Sequence, residues 1–219
     1  MIKALFCDFY GTMVFEDDEP IGATVERIYQ SGRAEGKEEI GAFWSRRFCA
    51  LCAEAFGEGF RTQRDLVLQS LQETMDRFHS DENADELCRY QFEYGRKPPI
   101  FEDAKPFFAQ CPIPVYIISN IDTDDLHSAL CFHGLQPAGV VTSEEARAYK
   151  PRGEIFTLAL RKFGLAQGEV VHIGDSVSSD VMGAKAAGIP YIWINRKGKA
   201  RPAGVDREAA DLLAALSML

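Results

Sequence analysis

No apolar run approaches the roughly 20 residues that a membrane-spanning helix needs; the best candidates are short stretches such as Pro114 to Ile118 and Val170 to Ile173. A helix crossing a bilayer is therefore not expected. Basic residues are not in excess either, since Lys and Arg number 24 against 33 Asp and Glu, a formal net charge of −9. That sign argues against a groove tracking nucleic-acid phosphates and against an anionic membrane surface, and points to a small ligand. The first residues lack the apolar core of a secretory leader, because Asp8 interrupts the run that follows Lys3. No second cysteine pair and no nearby histidine accompany Cys49 and Cys52, so this C-x-x-C reads as two thiols packed on a helix rather than as a metal or redox site. With Cys7, Cys88, Cys111 and Cys131 also in apolar contexts, buried thiols in a reducing, cytoplasmic setting are expected. Internal repeats and low-complexity tracts are absent. What is present, 46% hydrophobic and 26% charged residues in 219, matches an average globular protein. The length suffices for one α/β domain with an insertion.

The chain changes character twice. Residues 2–9 read as a short buried strand ending in the turn signal Tyr10-Gly11-Thr12. Residues 16–96 then carry apolar side chains at helical spacing, among them Ile40, Trp44, Phe48 and Leu51, then Leu66, Leu71, Met75 and Phe78. Gly57 and Gly59 separate two of these helices, and Ser80-Asp81 is the expected start of another. After Lys97-Pro98-Pro99, short β runs alternate with helices: strands at 115–118, 139–142, 170–173 and 191–194, helices at 122–132, 153–163, 177–187 and 207–216. Serial β-α units imply a doubly wound parallel sheet with right-handed crossovers. The expected architecture is a Rossmann-like core, residues 1–15 and 97–219, interrupted by an all-helical insert, residues 16–96.

In such a sheet, ligands bind beyond the carboxyl ends of the strands. Four polar clusters stand there: Asp8 to Thr12, Ser119-Asn120, Lys150 before Pro151, and Gly174-Asp175-Ser176 with Asp180. Each has an ordinary reading alone. Asp8, Ser119 or Asp175 could cap a turn or helix, Lys150 could be a solvated lysine, and Asp180 a first-turn acid favoured by the helix dipole. Together they would require four coincidences on one rim. A carboxylate, a hydroxyl, a fixed cation and two more acids suit a phosphoryl or oxyanion substrate held with a divalent metal.

In this order the residues resemble the haloacid dehalogenase superfamily of hydrolases. Its pattern of D-x-D-x-T, a lone Ser or Thr, a Lys and G-D-x-x-x-x-D is similar to Asp8 to Thr12, Ser119, Lys150 and Gly174 to Asp180 here, and Trp193-Ile194-Asn195-Arg196 also resembles a late segment of close relatives. The resemblance implies that residues 16–96 cap the site and that Asp8 is a nucleophile forming a covalent aspartyl intermediate. It further implies Mg²⁺ held by Asp8, the Tyr10 carbonyl and Asp175, with Asp180 behind them or acting through water. Thr12, Ser119 and Asn120 would bind substrate, and Lys150 would offset negative charge between nucleophile and substrate.

Two departures from the pattern point in opposite directions. Tyr10 stands where phosphatases of this family place a second Asp as general acid and base, and D-x-Y-G-T resembles the 2-haloacid dehalogenases, which displace halide without a metal. Those enzymes, however, carry Ser-x-Asn where this chain has Asp175-Ser176-Val177, and a Trp-Arg pair near the place of Trp44. Here Ser45 follows Trp44, and the shift to Arg46 swings the guanidinium by about 100° on a helix, so Arg46 and Arg47 read as an exposed basic pair. Without a metal, Asp8, Asp175 and Asp180 would also repel an anionic substrate. The expected activity is hydrolysis of a small phosphorylated metabolite with Mg²⁺; the alternatives are dehalogenation by Asp8 and a non-catalytic binding module. A monomer or homodimer is expected. His172, in a buried strand, reads as a hydrogen-bonded core residue.

Overall fold

A computed structural model describes residues 1–219. The element order is β1 (Ala4–Cys7), α1 (Asp18–Ser31), α2 (Lys37–Glu54), α3 (Gln63–Phe78), α4 (Ala84–Arg96), α5 (Ala104–Gln110), β2 (Val115–Ser119), α6 (Thr123–His133), β3 (Gly139–Thr142), α7 (Ser143–Ala146), α8 (Gly153–Phe163), β4 (Val170–Gly174), α9 (Met182–Ala186), β5 (Tyr191–Ile194), β6 (Glu208–Ala209) and α10 (Leu212–Leu216). The six strands form one parallel sheet in the order β3-β2-β1-β4-β5-β6. Strand order reverses beside β1, which places β1, β2 and β4 at the switch point where ligands bind in such folds.

Alternation along each strand divides the apolar side chains between two faces. Leu5 and Cys7, with Ile192 and Ile194, pack with Phe107, Leu126, Ala129 and Leu212 from α5, α6 and α10. Ala4 and Phe6, with Tyr191 and Trp193, pack with Ile155, Phe156 and Ala184 from α8 and α9. Each fully buried Leu, Ile or Phe contributes about 1.5–3 kcal/mol. Helices α1 to α4 enclose a cluster of their own, including Ile28, Ile40, Trp44, Leu71, Met75 and Phe78.

The structure changes several expectations. The expected helix at 207–216 is instead β6, a turn and α10. Trp193 N–H donates to Arg207 O and Asn195 N–H to Ala209 O, so edge pairing overrides a helix-favouring stretch, and Asp211 then caps α10 through Ala214 N–H. The fourth helix of the insert starts at Ala84 with Asn83 as its cap, not at Ser80-Asp81, because the Asn83 side chain accepts from Glu86 N–H. The span 177–187 opens with a widened π turn, Val177–Val181, before α9, a feature frequent at functional sites. Here it turns Asp180 inward, where Oδ2 accepts from Ser176 N–H at 3.0 Å. Only Cys7 and Cys88 are buried, while Cys49 and Cys131 are exposed. Cys52 still packs at the edge of a small cluster around Leu51 and Tyr149. No helix is long and apolar enough to cross a membrane.

Candidate active site

The tips of β1, β2 and β4 bring the polar residues together, and the contacts begin with Lys150. Its ammonium, almost sealed from solvent, donates to Asp8 Oδ1 at 2.6 Å, Asp180 Oδ1 at 2.6 Å and Ile118 O at 3.0 Å. Asn120 at the tip of β2 fixes the backbone that presents this lysine: Oδ1 accepts from Lys150 N–H at 2.7 Å and Nδ2 donates to Lys150 O at 3.1 Å. On the other side, Thr12 joins the two acidic loops. Its hydroxyl lies 3.3 Å from Asp8 Oδ2 and 3.1 Å from Asp175 Oδ1, and accepts from Asp175 N–H at 3.1 Å.

Two glycines are required by these close approaches. Gly11 has φ +82°, and a Cβ there would stand 2.6 Å from Asp175 Oδ1. A Cβ on Gly174 would stand 2.3 Å from Asp180 Cγ.

Charge is distributed unevenly. Burial pushes the Asp8 carboxyl up to about 6, against the lowering influence of Lys150. Burial also acts upward on Asp180, but Lys150 and the hydrogen bond from His172 outweigh it and hold that carboxyl well below the usual range. For Lys150, burial favours the neutral amine, yet Asp180 and Asp8 outweigh it and keep the ammonium charged. Asp175 has no salt bridge. Burial, then the charges of Asp8 and Asp180, push it up to about 8. Burial lowers His172, so the neutral ring donates from Nε2 to Asp180 Oδ1 at 2.9 Å while its sealed Nδ1 has no partner. The expected hydrogen-bonded core histidine is thus found, supporting the acid that supports Lys150.

Asp8, Asp175 and Asp180 offer oxygens within 4.8 Å of one another. An all-oxygen donor set suits Mg²⁺, and Asp175 has no basic side chain paired with it. The residues therefore fit a hard divalent cation. Asp180 is the least free of the three, since Lys150, His172 and Ser176 already occupy its oxygens.

These residues open onto a cleft of about 250 Å³ roofed by α3 and α4. Asp8, Tyr10, Ser119, Asn120, Lys150, Asp175 and Asp180 all line it; Thr12, expected to bind substrate, is fully buried behind Asp8 and Asp175 and does not reach the cleft. The Tyr10 side chain points toward the roof, donating to Gly95 O at 2.6 Å, and burial pushes its hydroxyl well above the usual phenol range. The roof is tied down by α6. Asp122 accepts from Gln63 N–H at 2.7 Å and Arg64 N–H at 3.0 Å, and Asp125 pairs with the Arg64 fork at 2.8 and 2.7 Å. Arg46 is exposed outside the cleft, Arg47 pairs with Glu73, and Trp44 is buried with its indole N–H on Ser70 Oγ.

Sequence reasoning did not single out Glu16, Asp17, Gln63 or Gln91 as lining residues. The run Glu16-Asp17-Asp18-Glu19 directly after the β1 loop was the one available signal, and an acidic run ordinarily reads as a solvated face.

A family model for haloacid dehalogenase-like hydrolases matches residues 2–188. Phosphoserine phosphatase of Thermus thermophilus is 28% identical over 174 residues, 77% of this chain and 69% of that protein. Haloacetate dehalogenase H-2 of Moraxella sp. strain B is 25% identical over 203 residues, 90% of this chain and 87% of that one. In three dimensions, the L-2-haloacid dehalogenase of Xanthobacter autotrophicus superposes with a TM-score of 0.78 at 20% identity, covering 100% of this chain and 98% of that chain, a likeness of fold. With the motif residues gathered in one cleft and the family model spanning most of the sequence, the chain belongs to the haloacid dehalogenase-like hydrolases.

Proposed function

We propose that this hydrolase is a Mg²⁺-dependent phosphatase for a small phosphorylated metabolite, with Asp8 as nucleophile and residues 16–96 as a cap over a core of residues 1–15 and 97–219. The observation that carries the reading is Asp175, a carboxyl beside Asp8 with a hydroxyl partner but no cation of its own. A metal-free site for an anionic substrate gains nothing from that third acid. Held by Asp8, the Tyr10 carbonyl and Asp175, with Asp180 behind them, Mg²⁺ would supply the positive charge that lets a phosphoryl group approach the carboxylates.

The chain's own groups have distinct tasks. Asp8 attacks phosphorus in line, forming a carboxyl O–P bond as the bond to the leaving oxygen breaks; water then cleaves the acyl phosphate and restores Asp8. Lys150, fixed by Asp180 and by the Asn120 clamp, offsets charge between Asp8 and the transferring oxygens. Ser119 at the tip of β2 and the Asn120 N–H bind those oxygens, and Thr12 keeps the Asp8 and Asp175 loops in register.

Tyr10 is no proton donor to the leaving group, since its hydroxyl is committed to Gly95 O. Leaving groups that depart unprotonated, as from acyl and aryl phosphates, are favoured over alkoxides. The same side chain supports a second reading, displacement of halide from carbon by Asp8, in which no leaving-group proton is needed; the similarity to a haloacetate dehalogenase along 90% of the chain also favours it. Phosphate release from acyl, aryl and alkyl phosphates with Mg²⁺ tests the main reading. Acyl and aryl substrates should turn over fastest, with Asp8→Asn inactive on all; an active Asp8→Asn variant rejects the covalent route.

A further inference from the structure

Beyond β5, the chain reaches back across the sheet toward the acidic loops. Because β5 runs parallel to β4 with Trp193 opposite Gly174, the buried Trp193 indole lies beside the turn carrying Asp175. Its Nε1–H donates to Asp175 O at 2.7 Å. Three residues later, Arg196 passes the tip of β4 to reach the loop after β1. Its Nε and Nη2 both donate to Thr12 O, at 3.2 and 2.6 Å.

The guanidinium is itself fixed on its other sides. Nη2 donates to Asp103 Oδ2 at 2.9 Å, an oxygen that also accepts from Leu212 N–H at 2.7 Å, and the Arg196 fork lies 3.8 Å over the Phe101 ring. Thr12 links Asp8 to Asp175 through its hydroxyl, while its carbonyl is held by Arg196. The two loops are therefore joined by Thr12 within the site and braced behind it by Trp193 and Arg196. Packing alone accounts for a buried indole ring. It does not account for an N–H and a guanidinium fork directed at backbone carbonyls of the two loops that carry the acids.

We propose that Trp193 and Arg196 are positioning residues that set the separation of Asp8 and Asp175 needed to share one divalent cation. The inference rests on the reading that these two acids act together on a metal. Neither side chain lines the catalytic cleft. Trp193→Phe keeps the ring and removes the donor, leaving a carbonyl without its partner; Arg196→Lys keeps the charge and removes the planar fork.

The test is titration of the full-length chain and each variant with Mn²⁺, followed by electron paramagnetic resonance, alongside turnover across a range of Mg²⁺ concentrations. Both variants should bind Mn²⁺ about tenfold or more weakly, and excess Mg²⁺ should restore most of their turnover. Arg201→Lys, whose parent side chain pairs with Glu208 at the surface, should behave as the parent. Parental Mn²⁺ binding in Trp193→Phe and Arg196→Lys overturns the proposal, as does equal weakening in Arg201→Lys. If Arg196→Lys does not fold, Trp193→Phe decides alone. If the parent binds no Mn²⁺, the metal reading fails and the proposal falls with it; a parent that binds Mn²⁺ beside variants that bind it equally well overturns the brace alone.

Discussion

Lys150 Nζ stands 2.6 Å from Asp8 Oδ1, with the two side chains exposed by only 2% and 9%. A pair so placed is sustained by partners on both sides, because desolvation would otherwise outweigh its attraction. Asp180 and Ile118 O are those partners for the ammonium.

Lys150→Met would leave Asp8 and Asp180 facing each other without their common cation. Removing one partner of a buried pair costs about 3–5 kcal/mol, and loss of a charge-stabilising group at the reacting centre lowers kcat on the order of 10²–10³. Urea unfolding and steady-state kinetics measure the two effects. A variant as stable and as active as the parent contradicts the role of Lys150.

Tyr10 separates the substrate classes. Tyr10→Asp places a carboxyl where phosphatases of the family keep their general acid, and should raise turnover of alkyl phosphates by up to about 10² while changing aryl phosphates little. Tyr10→Phe loses only the bond to Gly95 O, about 0.5–1.5 kcal/mol, and should leave the preference for aryl over alkyl substrates intact. Equal parental rates on the two classes contradict the assignment.

The acid trio makes metal stabilisation depend on pH. In the metal-free fold Asp175 sits at about 8 and Asp8 at about 6, both above the value of about 4 in an unfolded chain. A carboxyl raised by folding contributes fully below its unfolded value, and that contribution is lost as pH climbs toward the folded value. The contribution of these two acids should therefore fall from about pH 4 to pH 8, opposed below about pH 6.5 by buried His172, whose lowered titration makes stability rise with pH there. Since Mg²⁺ competes with the proton on Asp175, the Tm gain from Mg²⁺ should grow across the same window. Thermal melts with and without Mg²⁺ decide it; a gain that is constant or largest near pH 5 contradicts the arrangement.

Asp17, at the cleft wall, has no basic partner, and its hydrogen-bond donor is the Gln91 amide. Burial already pushes its carboxyl upward. Asp17→Asn should lower KM for a dianionic substrate up to about tenfold, roughly 1.4 kcal/mol, with kcat little changed. An unchanged or raised KM places Asp17 outside the substrate's field.

Much of this was legible in the chain because it is written locally. Short continuous apolar runs marked residues 2–9 and 191–194 as buried strands, and polar residues at the expected strand ends and β-α connections marked Asp8, Ser119, Lys150 and Asp175. What stayed hidden depends on distant partners. Residues 207–209 pair with β5 despite helix-favouring composition. Gln63 and Gln91 line the cleft only because Asp122 and Asp125 hold the roof to α6, and Arg196 meets Thr12 across 184 positions. Asp17 was obscured by its acidic neighbours, and Cys49 by helical spacing that gave no sign of which face would be covered.

The central claim is tested most directly by parallel assays of phosphate release from p-nitrophenyl phosphate and chloride release from 2-chloropropionate, each with and without EDTA. The account predicts phosphate release that EDTA abolishes and added Mg²⁺ restores. Chloride release indifferent to EDTA, with no phosphate release, would contradict it.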